Sequence, residues 1–300
     1  MPESPLPPRN GLAATRVRLP ASTQWPTALA YLAGRFPEAE VRLRELFAAG
    51  EVVDADGEPL EPTTPYRPGT SLYLYRDPPD EVPVPFSIEI LHRDDDIVVV
   101  DKPHFLSTMP RGRHVLETAL VRLRRDLDLP DLSPAHRLDR MTAGVLLFTA
   151  RPSVRRAYHE LFAERAAEKV YEAVAPFDPG LRLPRTVRSR IVKRRGVLRA
   201  EVIDGEPNAE TYVELLDVRA DRGLYRLRPR TGRTHQLRAQ MDALGVPIAG
   251  DNYYPQIRDV ADGDFTTPLQ LVARSLEFID PFTGAVRRFR SNRRLSARDS

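Results

Sequence analysis

The stretch "HRLDRMTAGVLLFTAR", residues 136–151, joins a charged segment to an apolar run. The run "GVLLF" is rich in large aliphatic and aromatic residues, which is typical of a strand buried on both faces of a sheet. Asp139 lies just before it, between Arg137 and Arg140. A carboxylate in this position is either part of a structural ion pair or a group that reacts with a substrate. This stretch alone leaves both interpretations open.

The composition is that of a globular protein. With 300 residues, of which 41% are hydrophobic, the chain can bury one large core, or one large and one small core. It contains no cysteine, so it can form neither a disulfide nor a thiolate metal site. No apolar stretch reaches the roughly 18 residues of a membrane span, and residues 1–20 lack the features of a signal peptide. We therefore expect a cytoplasmic protein without a membrane segment.

Sequence motifs of the common cofactor-dependent and metal-dependent enzymes are missing. The chain has no glycine-rich dinucleotide or phosphate loop, no H-E-x-x-H and no G-x-S-x-G. Its six histidines are scattered without the spacing of metal ligands. These features argue against nucleotide hydrolysis, zinc-dependent hydrolysis and serine acyl transfer. We expect neither a metal nor a cofactor.

Positive charge is concentrated in two segments, although the net charge is only +3. Residues 182–200 contain seven arginines and one lysine without an acidic residue. Residues 286–300 contain six arginines and one aspartate. Such clusters are typical of surfaces that bind a polyanion, and arginine pairs with phosphate through two N–H groups at once. The alternative is that they are solvated strand faces followed by a frayed tail.

Prolines divide the chain into three parts. Residues 1–78 form an extension and a small module with two amphipathic helices, a turn and an alternating strand in "GTSLYLYR". Residues 79–86 are rich in proline and indicate a stiff linker. In residues 87–300, strands outnumber helices and often follow one another directly. The pattern predicts an α+β fold with a mixed, mainly antiparallel central sheet and flanking helices.

A second charged segment, "TGRTHQLRAQMDALGVPIAGDNYY", covers residues 231–254. It places a glycine, two arginines and a histidine where a strand is expected to give way to a helix. Backbone N–H groups at such a junction, together with arginines, can bind an anion. The alternative is an ordinary helix start with Thr234 as its N-cap.

Together, the two segments resemble the signatures of the RluA-type pseudouridine synthases. The first is similar to their H-R-L-D-x-x-T-S-G-L-L-L motif, and the second to their T-G-R-T-H-Q-I-R block with the following G-D-x-x-Y. Four further blocks occur in the order of the family: "ILHRDDDIVVVDKP", "EKVYEAV", "NAETYVELL" and "PLQLVARSLEFIDPFTG". The resemblance covers residues 88–288. It departs from the family at Ala143, Val272 and Asp280, where a serine and two histidines are usual.

The small N-terminal module resembles the αL RNA-binding module that precedes several RNA-modifying enzymes. The resemblance rests on the helix pair, the turn "GEVVDADGEPL" and the closing "PGTSLYLYR". Asp56 stands where asparagine is usual, and Thr70 where aspartate is usual. The resemblance implies that this module contacts RNA. A packing appendage without a role in RNA binding is the alternative.

The resemblance to the synthases implies isomerisation of a uridine in ribosomal or transfer RNA. The bond between the uracil nitrogen and ribose breaks, the base rotates, and it rejoins through carbon, so no cofactor is consumed. The reaction needs a carboxylate beside the sugar, and the family motif places it at Asp139. This carboxylate either adds to the anomeric carbon or removes a proton from the neighbouring carbon.

The resemblance also implies roles for residues around Asp139. A carboxylate in a closed pocket needs a cation beside it to stay ionised, and the family position of that cation is Arg233. Tyr171 is expected to stack on the target uracil, with Leu271 on the opposite side. Arg137 is expected to fill the space that an extruded base leaves in structured RNA.

Further residues are candidates for binding the substrate. In the two signature blocks, substrate contacts are expected at His136, Thr231, Gly232, His235 and Arg238. On charge alone, contacts to the RNA backbone are expected at Arg188, Arg190, Lys193, Arg194, Arg195 and Arg230. We expect a monomer with RNA as its partner.

Two other functions are compatible with parts of this pattern. One is a catalytically inactive RNA-binding protein of the same fold, although such a protein has no need of a carboxylate among phosphates. The other is an enzyme that cleaves a glycosidic bond and releases the base. Glycosidases commonly use two carboxylates, whereas only one lies in a reactive motif here. Release of free base distinguishes such an enzyme from an isomerase.

Overall fold

The computed structural model describes residues 4–22 and 24–295. These residues form two compact units. The first unit ends at Asp80 and includes Arg124–Pro130, and the second comprises Glu81–Leu123 and the chain from Asp131 onward. The division after Asp80 lies inside the segment predicted as a linker.

The first unit contains two helices and three strands. They are α1 (Ala28–Arg35), α2 (Glu40–Ala48), β1 (Thr15–Arg18), β2 (Val52–Val53) and β3 (Ser71–Leu74). Thr27 caps α1, because its hydroxyl accepts a hydrogen bond from the amide of Ala30 at 3.0 Å. The strands form an antiparallel sheet in the order β1-β3-β2, and apolar residues of both helices share its core. The helix pair and the closing strand occur where the sequence predicts them.

The second unit is built on strands, many of which follow one another through hairpins. Its strands are β4 (Glu89–Arg93), β5 (Ile97–Lys102), β6 (Ser133–Pro134), β7 (Ala143–Thr149), β8 (Glu168–Pro176), β9 (Arg185–Val192), β10 (Glu201–Ile203), β11 (Ala209–Arg219), β12 (Arg222–Pro229), β13 (Leu271–Ile279) and β14 (Val286–Arg290). The remaining α-helices of the described chain are α3 (Ala119–Leu127), α4 (Arg155–Ala163) and α5 (Gln236–Ala243). Within residues 4–22 and 24–295, no helix has the length and apolar character needed to cross a membrane.

These eleven strands form one mixed sheet. The order along it is β10-β9-β11-β12-β8-β13-β7-β5-β4, with β14 beside β13 and β6 beside β7. Paired strands are antiparallel except β13 and β7, which are parallel. The predicted α+β fold with a mixed, mainly antiparallel sheet is confirmed.

The apolar runs of the sequence lie in the interior of this sheet. Ile97–Val100 of β5 and Val145–Phe148 of β7 are buried and pair with each other in antiparallel register. Gly144, near the start of β7, has φ +113° and lies opposite Ala273 of β13. A β-carbon at Gly144 would lie 2.3 Å from the carbonyl oxygen of Ala273. The glycine of the opening stretch is therefore what allows β7 to approach β13.

The segment predicted as a stiff linker is attached to the second unit from Glu81 onward. The Glu81 carboxylate accepts hydrogen bonds from the amides of Val115, Leu116 and Glu117 at 2.8, 2.7 and 3.2 Å. The Val84 amide donates to the carboxylate of Glu117 at 2.7 Å. A segment with these anchors is packed rather than free.

Candidate active site

The opening stretch leads into a deep cleft in the second unit. The cleft has a volume of about 1110 Å³ and is lined by the entrance to β7, by β8 and β13, and by the junction between β12 and α5. Eleven arginines and lysines line it, against two aspartates, of which Asp139 is one. Basic side chains therefore outnumber acidic ones around this carboxylate, which favours an anionic ligand. No group of three or more potential metal-ligating side chains occurs among the residues that the structure describes.

Asp139 is held in a tight turn before β7. The amide of Thr142 donates to the main-chain carbonyl of Asp139 at 3.1 Å, while the carboxylate stays 31% exposed. Its partner is Arg238 of α5, whose Nη1 lies 3.5 Å from Oδ2 of Asp139. The Arg238 side chain is only 2% exposed and donates two hydrogen bonds of 2.7 Å to Asp251. Asp251 thus fixes the guanidinium where it compensates the charge of Asp139.

The structure places Arg238 beside Asp139, whereas the predicted cation was Arg233. Arg233 lines the cleft, but its side chain is exposed and its Nε donates to the carbonyl of Asn208 at 3.2 Å. The reason is the position of each arginine relative to α5. Arg238 lies in the first turn of this buried helix, whereas Arg233 precedes the helix. Arg238, predicted as a substrate contact, is buried at the edge of the cleft and contacts the carboxylates of Asp139 and Asp251.

Tyr171 and Leu271 line the same cleft as Asp139. Tyr171 lies on β8, and Leu271 begins the neighbouring strand β13. Leu271 is buried. Burial, and to a smaller extent the charge of Asp139, raise the pKa of the Tyr171 phenol well above its ordinary value, so the hydroxyl stays protonated. The structure thus brings three of the predicted residues together, and two of them offer an apolar surface for a flat ring.

His136 and Arg137 differ in their surroundings. The His136 ring stacks on Phe162 with centroids 4.4 Å apart, and its Nε2 accepts the amide hydrogen of Leu147 at 3.2 Å. Burial and the neighbouring Lys169 lower the pKa of His136 to about 3, so the ring is neutral. Both contacts are to residues of the fold, so they hold the ring against β7 and α4. Arg137 is exposed in the cleft and has no hydrogen bond or ion pair within the described residues.

The junction between β12 and α5 is tightly organised. Gln236, the first residue of α5, accepts a hydrogen bond from the Thr231 hydroxyl at 2.7 Å. An N-cap at Thr234 is not formed, because His235 precedes the helix with φ +56° and without a capping hydrogen bond. This left-handed conformation costs a non-glycine residue about 1–3 kcal/mol. Thr231, Gly232 and His235 all line the cleft.

Lys102, at the end of β5, has a position that sequence patterns did not identify. Its ammonium group is buried and donates to the carbonyls of Pro103 and Leu106 at 2.9 and 2.7 Å. Burial lowers its pKa to about 7, although the charge of Asp139 acts in the opposite direction. The sequence signal for it is a lysine at the end of a strand that begins with the apolar run Ile97–Val100, since a side chain there has little access to solvent.

The basic segment 182–200 comprises β9 and the loop that leads from it to β10. Three predicted backbone contacts take part in ion pairs: Arg188–Glu210, Arg230–Glu210 and Arg194–Glu201. These arginine side chains remain more than 60% exposed, so the pairs are weak and leave N–H groups for a phosphate. Lys193 lines the cleft, and Arg190 and Arg195 are exposed.

The C-terminal basic segment is partly neutralised by acidic residues of the sheet. Its ion pairs are Arg287–Asp94, Arg287–Asp280, Arg288–Glu277 and Arg293–Asp101. Asp280, which replaces a usual histidine, also accepts a hydrogen bond from the Tyr158 hydroxyl at 3.0 Å. Acidic residues compensate the charges of these arginines within the fold. They therefore fit the alternative prediction of solvated strand faces better than that of a surface for a polyanion. Arg298 lies outside the described residues.

Comparisons with known proteins agree with this geometry. Residues 96–243 match the family model described as RNA pseudouridylate synthase. The chain is 32% identical over 205 residues to an uncharacterised RNA pseudouridine synthase of Synechocystis, covering 67% of this chain and 70% of the relative. It is 30% identical over 219 residues to the dual-specificity RNA pseudouridine synthase RluA of Haemophilus influenzae, covering 67% and 91%.

One solved structure shares the fold. Human RNA pseudouridylate synthase domain containing 1 superposes with a TM-score of 0.55 at 23% identity, covering 69% of this chain and 84% of that chain.

Proposed function

Because the chain belongs to the RluA-type family of RNA pseudouridine synthases, we propose that it converts specific uridines of structured RNA into pseudouridine with Asp139 as the reacting carboxylate. The observation that carries this proposal is the pairing of Asp139 with a buried arginine in a positively charged cleft. In the reaction the bond from C1′ to N1 breaks and the bond from C1′ to C5 forms. A proton leaves C5 and N1 gains one, so the base is isomerised without a net change in atoms.

Asp139 has the properties that this reaction needs. About a third of its side chain is accessible, while Arg238 compensates its charge. Arg238 is itself immobilised by two hydrogen bonds to Asp251. The same geometry serves both routes, because an ionised carboxylate is required whether Asp139 adds to C1′ or removes a proton from C2′.

Tyr171 and Leu271 form the part of the cleft suited to uracil. Uracil is flat, and in this proposal it stacks on the Tyr171 ring while Leu271 closes the other side. Because the pKa of the phenol is raised, Tyr171 acts on the base as a neutral hydrogen-bond donor.

Arg137 suits the extrusion of the target base. A uridine in a duplex or stacked loop must leave its neighbours before it can enter a cleft, which costs a few kcal/mol. Arg137 is exposed in the cleft and unpaired within the described chain. Its long side chain is therefore available to fill the vacated space and to replace part of the lost stacking.

Ribosomal RNA is the first target to test, and transfer RNA the second. Exposed arginines continue from the cleft onto the β9–β10 hairpin, a larger surface than one nucleotide needs. The resemblance of the first unit to the αL module adds a second RNA-binding surface to the proposal. A large, structured RNA is the partner that uses both.

Pseudouridine maps of RNA from cells with and without the protein test this function. We expect at least one site that carries pseudouridine only when the protein is present; identical maps would contradict the proposal. Purified protein is then incubated with RNA from cells that lack it, and both pseudouridine and free uracil are measured. An isomerase forms pseudouridine and releases no uracil. A base-releasing enzyme forms uracil, and an inactive RNA-binding protein forms neither.

A further inference from the structure

Two basic side chains, Arg165 and Lys169, lie in the lining of the cleft without a partner in the described chain. Arg165 follows α4 with φ +61° and is exposed, and Lys169 is a half-buried residue of β8. Both line the cleft. Neither side chain makes a hydrogen bond or an ion pair with any residue in the described ranges. A half-buried lysine without a partner is unusual, because buried cations are normally paired.

Lys169 lies on the same side of β8 as Tyr171. The two residues occupy alternate positions of the strand, and both side chains line the cleft. Their α-carbons are about 6.8 Å apart, the rise of two residues in an antiparallel strand. A base stacked on Tyr171 therefore has its own sugar and phosphate within reach of Lys169.

The charges on this flank repel one another. Burial and the charge of Arg165 both lower the pKa of Lys169, and no acidic group of the described chain offsets them. His136, stacked on Phe162, is neutral and adds no further positive charge. An anion with several oxygen atoms relieves this repulsion if it accepts hydrogen bonds from both cations.

We propose that Arg165 and Lys169 together bind one phosphate of the RNA backbone beside the target uridine. The inference rests on the proposed function, because stacking of uracil on Tyr171 is what brings a backbone phosphate within reach. Arg165 supplies the planar pair of N–H groups that matches phosphate oxygens, and Lys169 supplies a point charge closer to the base. The site thereby favours a uridine within a chain over the free nucleoside.

Binding of a short, end-labelled oligouridylate to the full chain tests this site. Lys169→Gln should weaken binding about tenfold at low salt, as expected for one charge-assisted contact. It should also reduce the slope of log affinity against log salt concentration by about 0.7, the value for one phosphate of a single strand. Arg156→Gln is the matched control, because Arg156 pairs with Glu160 on α4 and does not line the cleft. It should change neither quantity.

Further variants show whether the two cations share one phosphate. Arg165→Gln should reproduce the weaker binding, and the double variant should lose less than the product of the single losses, because both changes remove the same contact. Lys169→Arg keeps the charge and should bind within about threefold of the parent. An unchanged salt slope in both single variants, or losses that multiply fully, would overturn the shared site.

This test is independent of catalysis, because oligouridylate binding does not require turnover. A parent protein that shows these binding effects but forms no pseudouridine would overturn the proposed function and support the phosphate site. A parent protein that forms pseudouridine, together with a Lys169→Gln variant that binds like Arg156→Gln, would support the proposed function and overturn the phosphate site.

Discussion

Replacement of Arg238 by methionine should disturb two carboxylates at once. Arg238 is 2% exposed, lies 3.5 Å from Asp139 and donates two hydrogen bonds of 2.7 Å to Asp251. Arg238→Met leaves Asp251 as a buried negative charge without its bidentate partner, and leaves Asp139 without a compensating cation. We therefore expect losses of both stability and activity.

The expected loss in the free energy of unfolding is about 3–5 kcal/mol, the range for removal of one partner of a buried ion pair. In a protein of this size such a loss lowers Tm by roughly 10 °C. Arg233→Met is the matched control for stability, because it removes the same charge from an exposed position in the same cleft. Its effect on the free energy of unfolding should stay within about 0.5 kcal/mol.

A double variant separates stability from chemistry. In Arg238→Met combined with Asp251→Asn, a neutral amide replaces the uncompensated carboxylate and still offers an acceptor to the amide of Tyr253. Much of the lost stability should return, because no unpaired charge remains buried. Pseudouridine formation should stay low, since Asp139 still lacks its cation.

Urea unfolding followed by circular dichroism measures the stability of these variants, and pseudouridine analysis of incubated RNA measures their activity. If Arg238→Met unfolds at the same urea concentration as the parent, Arg238 does not stabilise the two carboxylates. If Arg233→Met loses as much stability as Arg238→Met, the buried and exposed arginines are equivalent and burial does not determine the loss.

Three further changes test other parts of the molecule. Gly144→Ala should cost about 3 kcal/mol or more, because its β-carbon would lie 2.3 Å from the carbonyl oxygen of Ala273; a parental Tm would contradict this close approach. Tyr171→Phe should retain RNA affinity but slow isomerisation about 10²-fold or more, and the parent should show no alkaline loss of activity near pH 10, because the phenol pKa is raised. His136→Gln should make stability less sensitive to acid. The folded pKa of about 3 lies below the ordinary 6.5, so the unfolded chain binds more protons and stability falls as pH drops through that window; equal acid-unfolding curves for variant and parent would contradict it.

The fold class could be predicted because its strongest signals are local. Apolar runs such as Ile97–Val100 and Val145–Phe148 specify buried strands by composition alone. The parallel pairing of β13 with β7 could not be predicted in this way. It depends on the return of a distant segment and on backbone clearance at Gly144, which is visible only when Ala273 is in place.

The site could be predicted in part. Family motifs indicated Asp139, Tyr171 and Leu271, and the structure places all three in one cleft. They indicated Arg233 as the cation, whereas the structure places Arg238 of the same motif beside Asp139. Which arginine turns inward depends on Asp251, whose buried carboxylate holds Arg238.

Charge clusters in a sequence do not show which charges are compensated. Arg287 belongs to a strongly basic segment, yet it pairs with Asp94, far away along the chain. Conversely, Arg165 and Lys169 lie in a segment of ordinary composition, and the fold leaves both in the cleft lining without an acidic partner in the described chain. Whether a basic side chain has an acidic partner depends on the tertiary structure, and only an uncompensated side chain is fully available to a phosphate.

Pseudouridine mapping of RNA from cells that carry Asp139→Asn in place of the parent tests the central claim most directly. The amide keeps the shape of the side chain and can still face Arg238, so the variant should fold and bind RNA like the parent. Uridines that depend on the parent protein should remain unmodified, because the amide can neither attack the ribose nor take its proton. Pseudouridine at those same sites in cells with Asp139→Asn would contradict the claim that Asp139 is the reacting carboxylate.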